Sequence, residues 1–260
     1  MPGVQELDLS LRLRSEVILE RISLPDGASA VDLGCGTGYF AAALAQRGIA
    51  VTCVDVVPRN LVWLRRLHSP LVERGLLEPV ESDLGHVPAA DAAFDAGFCL
   101  EVLEHVEDDR GALAEAARVL KPGALLVVSV PNRAAPEPLL ERLGLVSVHD
   151  VPGPEQHVRP GYDGAGLAAL LGDAGFAVTW SGGVGGTPYR FVVGVVSFLH
   201  WTMRRLRGQQ AWTWADVEED TGSPALRAYR SVFPLFLALA RVGARPRRKP
   251  STLVVIARRT

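Results

Sequence analysis

The chain has 260 residues, 48% of them hydrophobic, and a formal net charge of −2. That is enough for one large α/β domain, or a domain with a sizeable insertion, built on a substantial core. No run of 18 apolar residues occurs, which argues against an ordinary transmembrane helix, and MPGVQELDLSLRLRSEV lacks the basic start and apolar centre of a secretory leader.

Taken in chain order, LDLSLRLRSEVILERI (7–22) predicts an amphipathic helix. ASAVDLG (28–34) predicts a strand ending in turn residues, and TGYFAAALAQRG (37–48) a helix stopped by Gly48. IAVTCVDV (49–56) is the next strand. A helix over 58–75 opens on Pro58. Strands follow at 77–84 and 94–101, a helix over 108–123 ended by Pro122 and Gly123, and a strand over 124–132. LAALLGDAGFAVTWS (167–181) supplies a further helix and strand, and STLVVIARR (251–259) a last strand. Regular alternation of strand and helix implies a doubly wound, mostly parallel sheet covered on both faces. Four segments are expected: an N-terminal helical cap (1–27), an α/β core (28–183), a helical lid or insertion (184–250) and a final core strand (251–260).

Cys35, Cys53 and Cys99 are odd in number and fall in or beside predicted strands, so a disulfide framework is not expected and a reducing cytoplasm is. Charge is unevenly spread. Residues 200–260 carry 12 basic and 4 acidic residues, against 15 and 25 in the rest. The acidic part should repel nucleic acid, while the basic part could meet phosphates or anionic lipid.

VDLGCGTG (31–38) joins the first strand to the first helix. Glycine at 34, 36 and 38 lets a backbone approach a ligand, with helix N–H groups behind it. The spacing G-x-G-x-G is neither the dinucleotide fingerprint nor a phosphate-binding P-loop. Asp55 and Asp83 end the second and third strands, where carboxylates can meet ribose hydroxyls and an adenine amino group. The plainer alternative for Asp55 is a cap on the helix from Pro58.

VDLGCGTG, CVDV, SDL, FDAGFCLEVLEHVED and LKPGALLVVSVPN, in this order, resemble the class I S-adenosylmethionine (SAM)-dependent methyltransferases, in the branch that includes ubiquinone and menaquinone biosynthesis enzymes. HVRPGYDGAGLAALLGDAGFAV is similar to a further segment of that family. The resemblance implies a seven-stranded sheet whose last strand is antiparallel. It also implies that Gly34, Cys35, Gly36 and Gly38 pass the methionine part of SAM, and that Asp32 orients the loop and the amino group. Asp55 with Val56 would hold the ribose, Asp83 with Leu84 the adenine, and Leu100 and Glu101 would lie near the sulfonium.

EVLEHVED (101–108) brings four acids and one histidine within eight positions, directly after the mostly apolar FDAGFCL (94–100). A hydroxyl acceptor must lose its proton, and a histidine titrating near neutrality suits that task, so His105 and His157 are the catalytic candidates. Glu107 and Asp108 favour the start of the next helix. Glu101, Glu104 and His105 would share one helical turn, and with His157 they form a candidate divalent-metal set, to which the reading does not commit. An alternative held open is metal-assisted 2′-O-methylation of RNA; another is a SAM-binding module without turnover.

FVVGVVSFLHWTM (191–203) and VFPLFLALA (232–240) are apolar and each is followed by arginines. Together with Trp201, Trp212 and Trp214 they suggest either a greasy lid or peripheral contact with a membrane surface through residues 191–249. The expected partner is a small or lipid-like acceptor methylated at oxygen; nucleic acid is not expected.

Overall fold

The computed structural model describes residues 8–136, 157–186, 189–191, 224–242 and 250–260. His149, Trp201, Trp212, Trp214 and most of the 191–203 run lie outside the described residues, as do residues 243–249. Two compact units divide the chain: residues 1–17, 134–157 and 183–252 in one, and residues 18–133, 158–182 and 253–260 in the other.

The larger unit is built on the sheet. Its strands are β1 (Ser29–Leu33), β2 (Ala50–Asp55), β3 (Leu77–Glu81), β4 (Phe94–Leu100), β5 (Leu120–Pro131), β6 (Phe176–Val184) and β7 (Thr252–Arg259), in the order β3-β2-β1-β4-β5-β7-β6. β1 pairs in parallel with β2 and β4, β2 with β3, and β4 with β5. β7 runs antiparallel to β6: the Thr260 amide donates to the Gly175 carbonyl at 2.9 Å, and Thr179 Oγ1 to the Ile256 carbonyl at 3.1 Å. The central strands are buried on both faces, with Val31, Val54, Phe98 and Val127 fully enclosed. This is why they read as near-continuous apolar runs rather than alternating ones.

Helices α2 (Tyr39–Ala45), α3 (Pro58–Leu67), α4 (Ser69–Glu73), α5 (Asp109–Val119) and α6 (Gly164–Asp173) cover the sheet. α5 buries Ala112, Leu113, Ala116 and Val119, and α6 buries Leu167, Leu170 and Leu171, each a single helical stripe. Asp108 caps α5 by accepting the Gly111 amide at 2.8 Å, and Asp163 caps α6 by accepting that of Gly166 at 2.8 Å.

Two expected boundaries move. The helix predicted over 58–75 breaks at His68, because Pro70 has no amide to donate and its ring would crowd the preceding turn. The helix predicted over 108–123 ends at Val119, and Pro122 and Gly123 fall inside β5. There the register with β4 jumps from Phe94↔Leu120 to Ala96↔Leu125, a bulge in which Gly123 adopts φ 76°.

The smaller unit holds most of α1 (Leu9–Leu19) and α7 (Pro224–Val242). Arg241 donates to both carboxylate oxygens of Glu16, at 3.1 and 2.6 Å, and Tyr189 Oη donates to Ser10 Oγ at 2.6 Å. α7 buries Phe233, Leu237 and Ala240 and exposes Val232, Leu235, Leu239 and Val242. No helix among the described residues is long and apolar enough to cross a membrane.

Two expectations follow. Replacing Asp108 with Ala orphans an α5 amide and should cost about 1 kcal/mol in urea unfolding, while Asn should restore most of it. His68 is held below the usual histidine range, first by burial, which outweighs the hydrogen bond to the Thr37 backbone. The unfolded chain therefore takes up this proton first, and stability present above the ordinary histidine value is lost as pH falls through it. The depressed carboxylates of Glu16, Asp95, Glu115 and Asp163 act at lower pH. Between about pH 7 and 5, His68→Gln should flatten the decline in unfolding free energy; parallel slopes for parent and variant would remove His68 from the linkage.

Candidate active site

The loop after β1 folds back on the end of β2. The amides of Gly34 and Cys35 both donate to the Val54 carbonyl, at 2.8 and 2.9 Å. Gly34 and Gly38 have φ of 76° and 80°, and a Cβ on either would strike Val102 at 2.5 Å or Leu64 at 2.7 Å. At these two positions glycine is required by packing as well as by backbone angle. Gly36 differs: its φ is 54°, but an added Cβ would meet nothing within 4 Å. The loop thus presents an open backbone face at its middle glycine.

Asp55 closes the other side of that loop. Only 6% exposed, it uses one carboxylate oxygen to accept the Gly36 amide at 2.7 Å. The other accepts the Val57 amide at 2.8 Å and Asn60 Nδ2 at 3.2 Å. The side chain therefore ties the glycine loop to the turn into α3, while the N-cap position of α3 is Val57. Val56, next along, is 62% exposed, a branched apolar side chain left facing solvent. Asp83 accepts the Gly85 amide at 2.7 Å in its own turn, and Leu84 beside it is buried.

Asp32 is 2% exposed in β1, in register with Cys53 and Phe98. All three cysteines are free and buried. The Cys53 thiol and burial push the Cys35 thiol well up, with Asp32 and Asp55 adding to it. Burial also pushes Cys99 up, helped by Glu104 and Asp32. Burial and neighbouring acids thus favour the thiol over the thiolate at Cys35 and Cys99.

The EVLEHVED segment does not form the single helical turn predicted for it. Leu100 ends β4 half-buried, and Glu101 then adopts φ 59°, a left-handed conformation rare for a residue with a side chain. Ser129 holds it there: its carbonyl accepts the Glu101 amide at 2.8 Å and its Oγ donates to the Glu101 carboxylate at 3.1 Å. A short 3-10 turn follows at Leu103–His105, with Glu104 buried and His105 half-buried.

A second segment locks this turn in place. The Val158 amide donates to the Glu104 carbonyl at 2.9 Å. Arg159 pairs with Asp109 and donates to the Val106 and Glu107 carbonyls at 2.7 and 2.8 Å. Tyr162 Oη donates to Asp109 at 2.8 Å. Sequence reasoning singled out neither Arg159 nor Tyr162 for this work; the only trace was the HVRPGYD segment itself. His157, half-buried, directly precedes Val158. The cofactor candidates lie together at the carboxyl ends of β1, β2 and β4 and the loop after β3, within one unit, whereas His157 is assigned to the other.

Residues 31–128 match a family model described as a methyltransferase domain. A ubiquinone biosynthesis O-methyltransferase of Xylella fastidiosa (strain M23) is 36% identical over 188 residues, covering 68% of this chain and 72% of that one. Among solved structures, the [4+2]-cyclase SpnF superposes with a TM-score of 0.61 at 21% identity, over 94% of this chain and 80% of that one. A sarcosine dimethylglycine methyltransferase assignment from Galdieria sulphuraria gives 0.59 at 17% identity, over 95% and 83%. The last two show the fold alone. Fold, family model and the long match at 36% identity converge: the chain belongs to the class I SAM-dependent methyltransferases and is an enzyme of that family.

Proposed function

We propose that the enzyme methylates an oxygen atom of a small, lipophilic acceptor. The observation that carries this reading is the 36% identity over 188 residues to a relative named for ubiquinone biosynthesis and O-methylation. The apolar runs of the 184–250 insertion suit such an acceptor. Free buried cysteines suit a reducing cytoplasm, and the arginines after each apolar run would favour peripheral contact with a membrane.

The residues present fit SAM. The open backbone face at Gly36 leaves room for a ligand, and a buried carboxylate stands at the end of β2. In our reading Gly34, Cys35, Gly36 and Gly38 hold the methionine part and Asp32 its amino group. Asp55 holds the ribose, Val56 lies against the adenosine, and Asp83 and Leu84 meet the adenine. Leu100 and Glu101 border the reacting end. When bound, SAM supplies a methyl group on a cationic sulfur. The protein's own task is alignment, exclusion of water and removal of one proton from the acceptor hydroxyl. His105 and His157 are the bases assigned to that proton.

A second reading places a divalent ion on Glu104, His105 and His157, with Glu101 nearby, to lower the acceptor's pKa. What favours it is the donor set itself, since carboxylate and imidazole groups suit a divalent ion. RNA methylation is less well supported, given the acidic balance of residues 1–199. A SAM-binding module without turnover is disfavoured by the long match to a relative named for O-methylation.

Asp55→Ala should weaken SAM binding at least about tenfold by calorimetry, or about 1.4 kcal/mol; unchanged affinity would sink the cofactor assignment. For the acceptor, the test is label transfer from methyl-labelled SAM into the lipid, RNA and polar fractions of a host lysate, with Mg²⁺ and with chelator. Label in lipid is expected, and label in RNA overturns the proposal. His157→Ala should lower that transfer about a hundredfold and spare SAM affinity. Loss with chelator and recovery with Mg²⁺ would select the metal reading.

A further inference from the structure

At the opposite end of the sheet from the glycine loop lies a cavity of about 610 Å³, lined wholly by residues of the larger unit. It sits at the amino ends of β4 and β5, bordered by the segment before β1 and by β6 and β7. A full strand separates it from Glu101, or about 20 Å at the usual rise per residue.

Three cations and one carboxylate line it: Arg21, Lys121, Arg258 and Asp95. Each cation is held by a defined contact. Lys121 Nζ donates to Asp95 at 2.7 Å, and the other Asp95 oxygen accepts the amide of Ser29 at 3.0 Å. Arg258 donates to the Gly123 carbonyl at 2.8 Å. The Arg21 guanidinium lies 4.5 Å from the centroid of the Trp180 ring. That ring in turn covers Gly182, where a Cβ would strike it at 2.4 Å. The β5 bulge lies at this cavity, and residues 121–125 of that strand line it.

Residues 1–199 carry ten more acidic than basic residues, yet they supply two cations and one carboxylate to this cavity, and Arg258 adds a third cation, a surplus of two positive charges. Cations braced from three directions around a concave space match a group with several anionic oxygens. Trp180 is covered by Arg21 on one side and backs onto Gly182, so the arginine is the group it offers, not an aromatic face.

We propose that this cavity is a second binding site, distinct from the methyl-transfer end, for a phosphate monoester or diphosphate group held by Arg21, Lys121 and Arg258. A soluble phosphorylated metabolite and a phospholipid headgroup present the same chemistry to it.

The test uses the fact that Lys121 and Lys249 are the only lysines of the chain. Acylation of the intact protein by an amine-reactive ester, read peptide by peptide by mass spectrometry, reports both. The probes are inorganic pyrophosphate, glycerol 3-phosphate, and phosphatidylcholine vesicles with and without phosphatidic acid. Acylation of Lys121 should slow at least about fivefold while Lys249 changes little, because a bound anion both pairs with and covers the amine. Protection by the soluble probes assigns a metabolite; protection by phosphatidic acid vesicles alone assigns a headgroup. Arg258→Gln should weaken that protection about tenfold while leaving SAM affinity unchanged. Unaltered Lys121 reactivity with every probe overturns the site. So does equal slowing at Lys249, which would mark general charge screening.

Discussion

The Asp55 carboxylate holds two loops at once, and the carboxyl end of the sheet is organised around it. β1 and β2 run side by side in parallel, so the loops leaving them emerge next to one another. One carboxylate oxygen takes the Gly36 amide and the other the Val57 amide with Asn60. A buried carboxylate needs several donors to offset its lost hydration, and these two loops supply them. The plain reading of Asp55 as the cap of α3 does not hold, because Val57 occupies the N-cap position; the carboxylate braces the glycine loop instead, which is compatible with a ligand role. The bonds that fix the glycine loop also fix the orientation of the group that would meet a ribose.

The same economy governs the end of β4. Glu101 sits at φ 59°, a conformation that costs a non-glycine residue free energy and persists only where neighbours enforce it. Ser129, fully buried on the adjacent strand, enforces it through two hydrogen bonds. Arg159, Tyr162 and Asp109 then clamp the following turn from the other side. The charges in and just after EVLEHVED thus divide: Asp108 and Asp109 build the scaffold, while Glu101, Glu104 and His105 are carried by it.

The parallel core was legible in the sequence because strands buried on both faces are written as short apolar runs, and because the alternation with helices leaves few topologies open. The start of α5 was legible because acids at a helix start are a local signal, although Asp108 acts there by accepting the Gly111 amide and not through the helix dipole alone. What escaped were features settled by distant partners. Nothing near Arg159 in the chain indicates that it serves the carbonyls of Val106 and Glu107. The β5 bulge escaped because Lys121-Pro122-Gly123 reads locally as a helix stop, while pairing with β4 draws the strand back to Leu120. The three loop glycines looked equivalent, and only packing against Val102 and Leu64 separates Gly34 and Gly38 from Gly36.

The division between legible and illegible parts follows the division of labour in the enzyme. The residues proposed to meet the cofactor fall on strand ends and tight loops, where backbone geometry allows few residue types, so their spacing stands out in the sequence. Under the proposed function the acceptor is left to the connections after β5 and between β6 and β7, whose residue types no strand register dictates. A fold shared with a named cyclase at 21% identity is consistent with that freedom. The reaction is therefore argued from Glu101, His105 and His157 and from the long match to O-methylating relatives, because the sheet itself would serve other chemistry equally well.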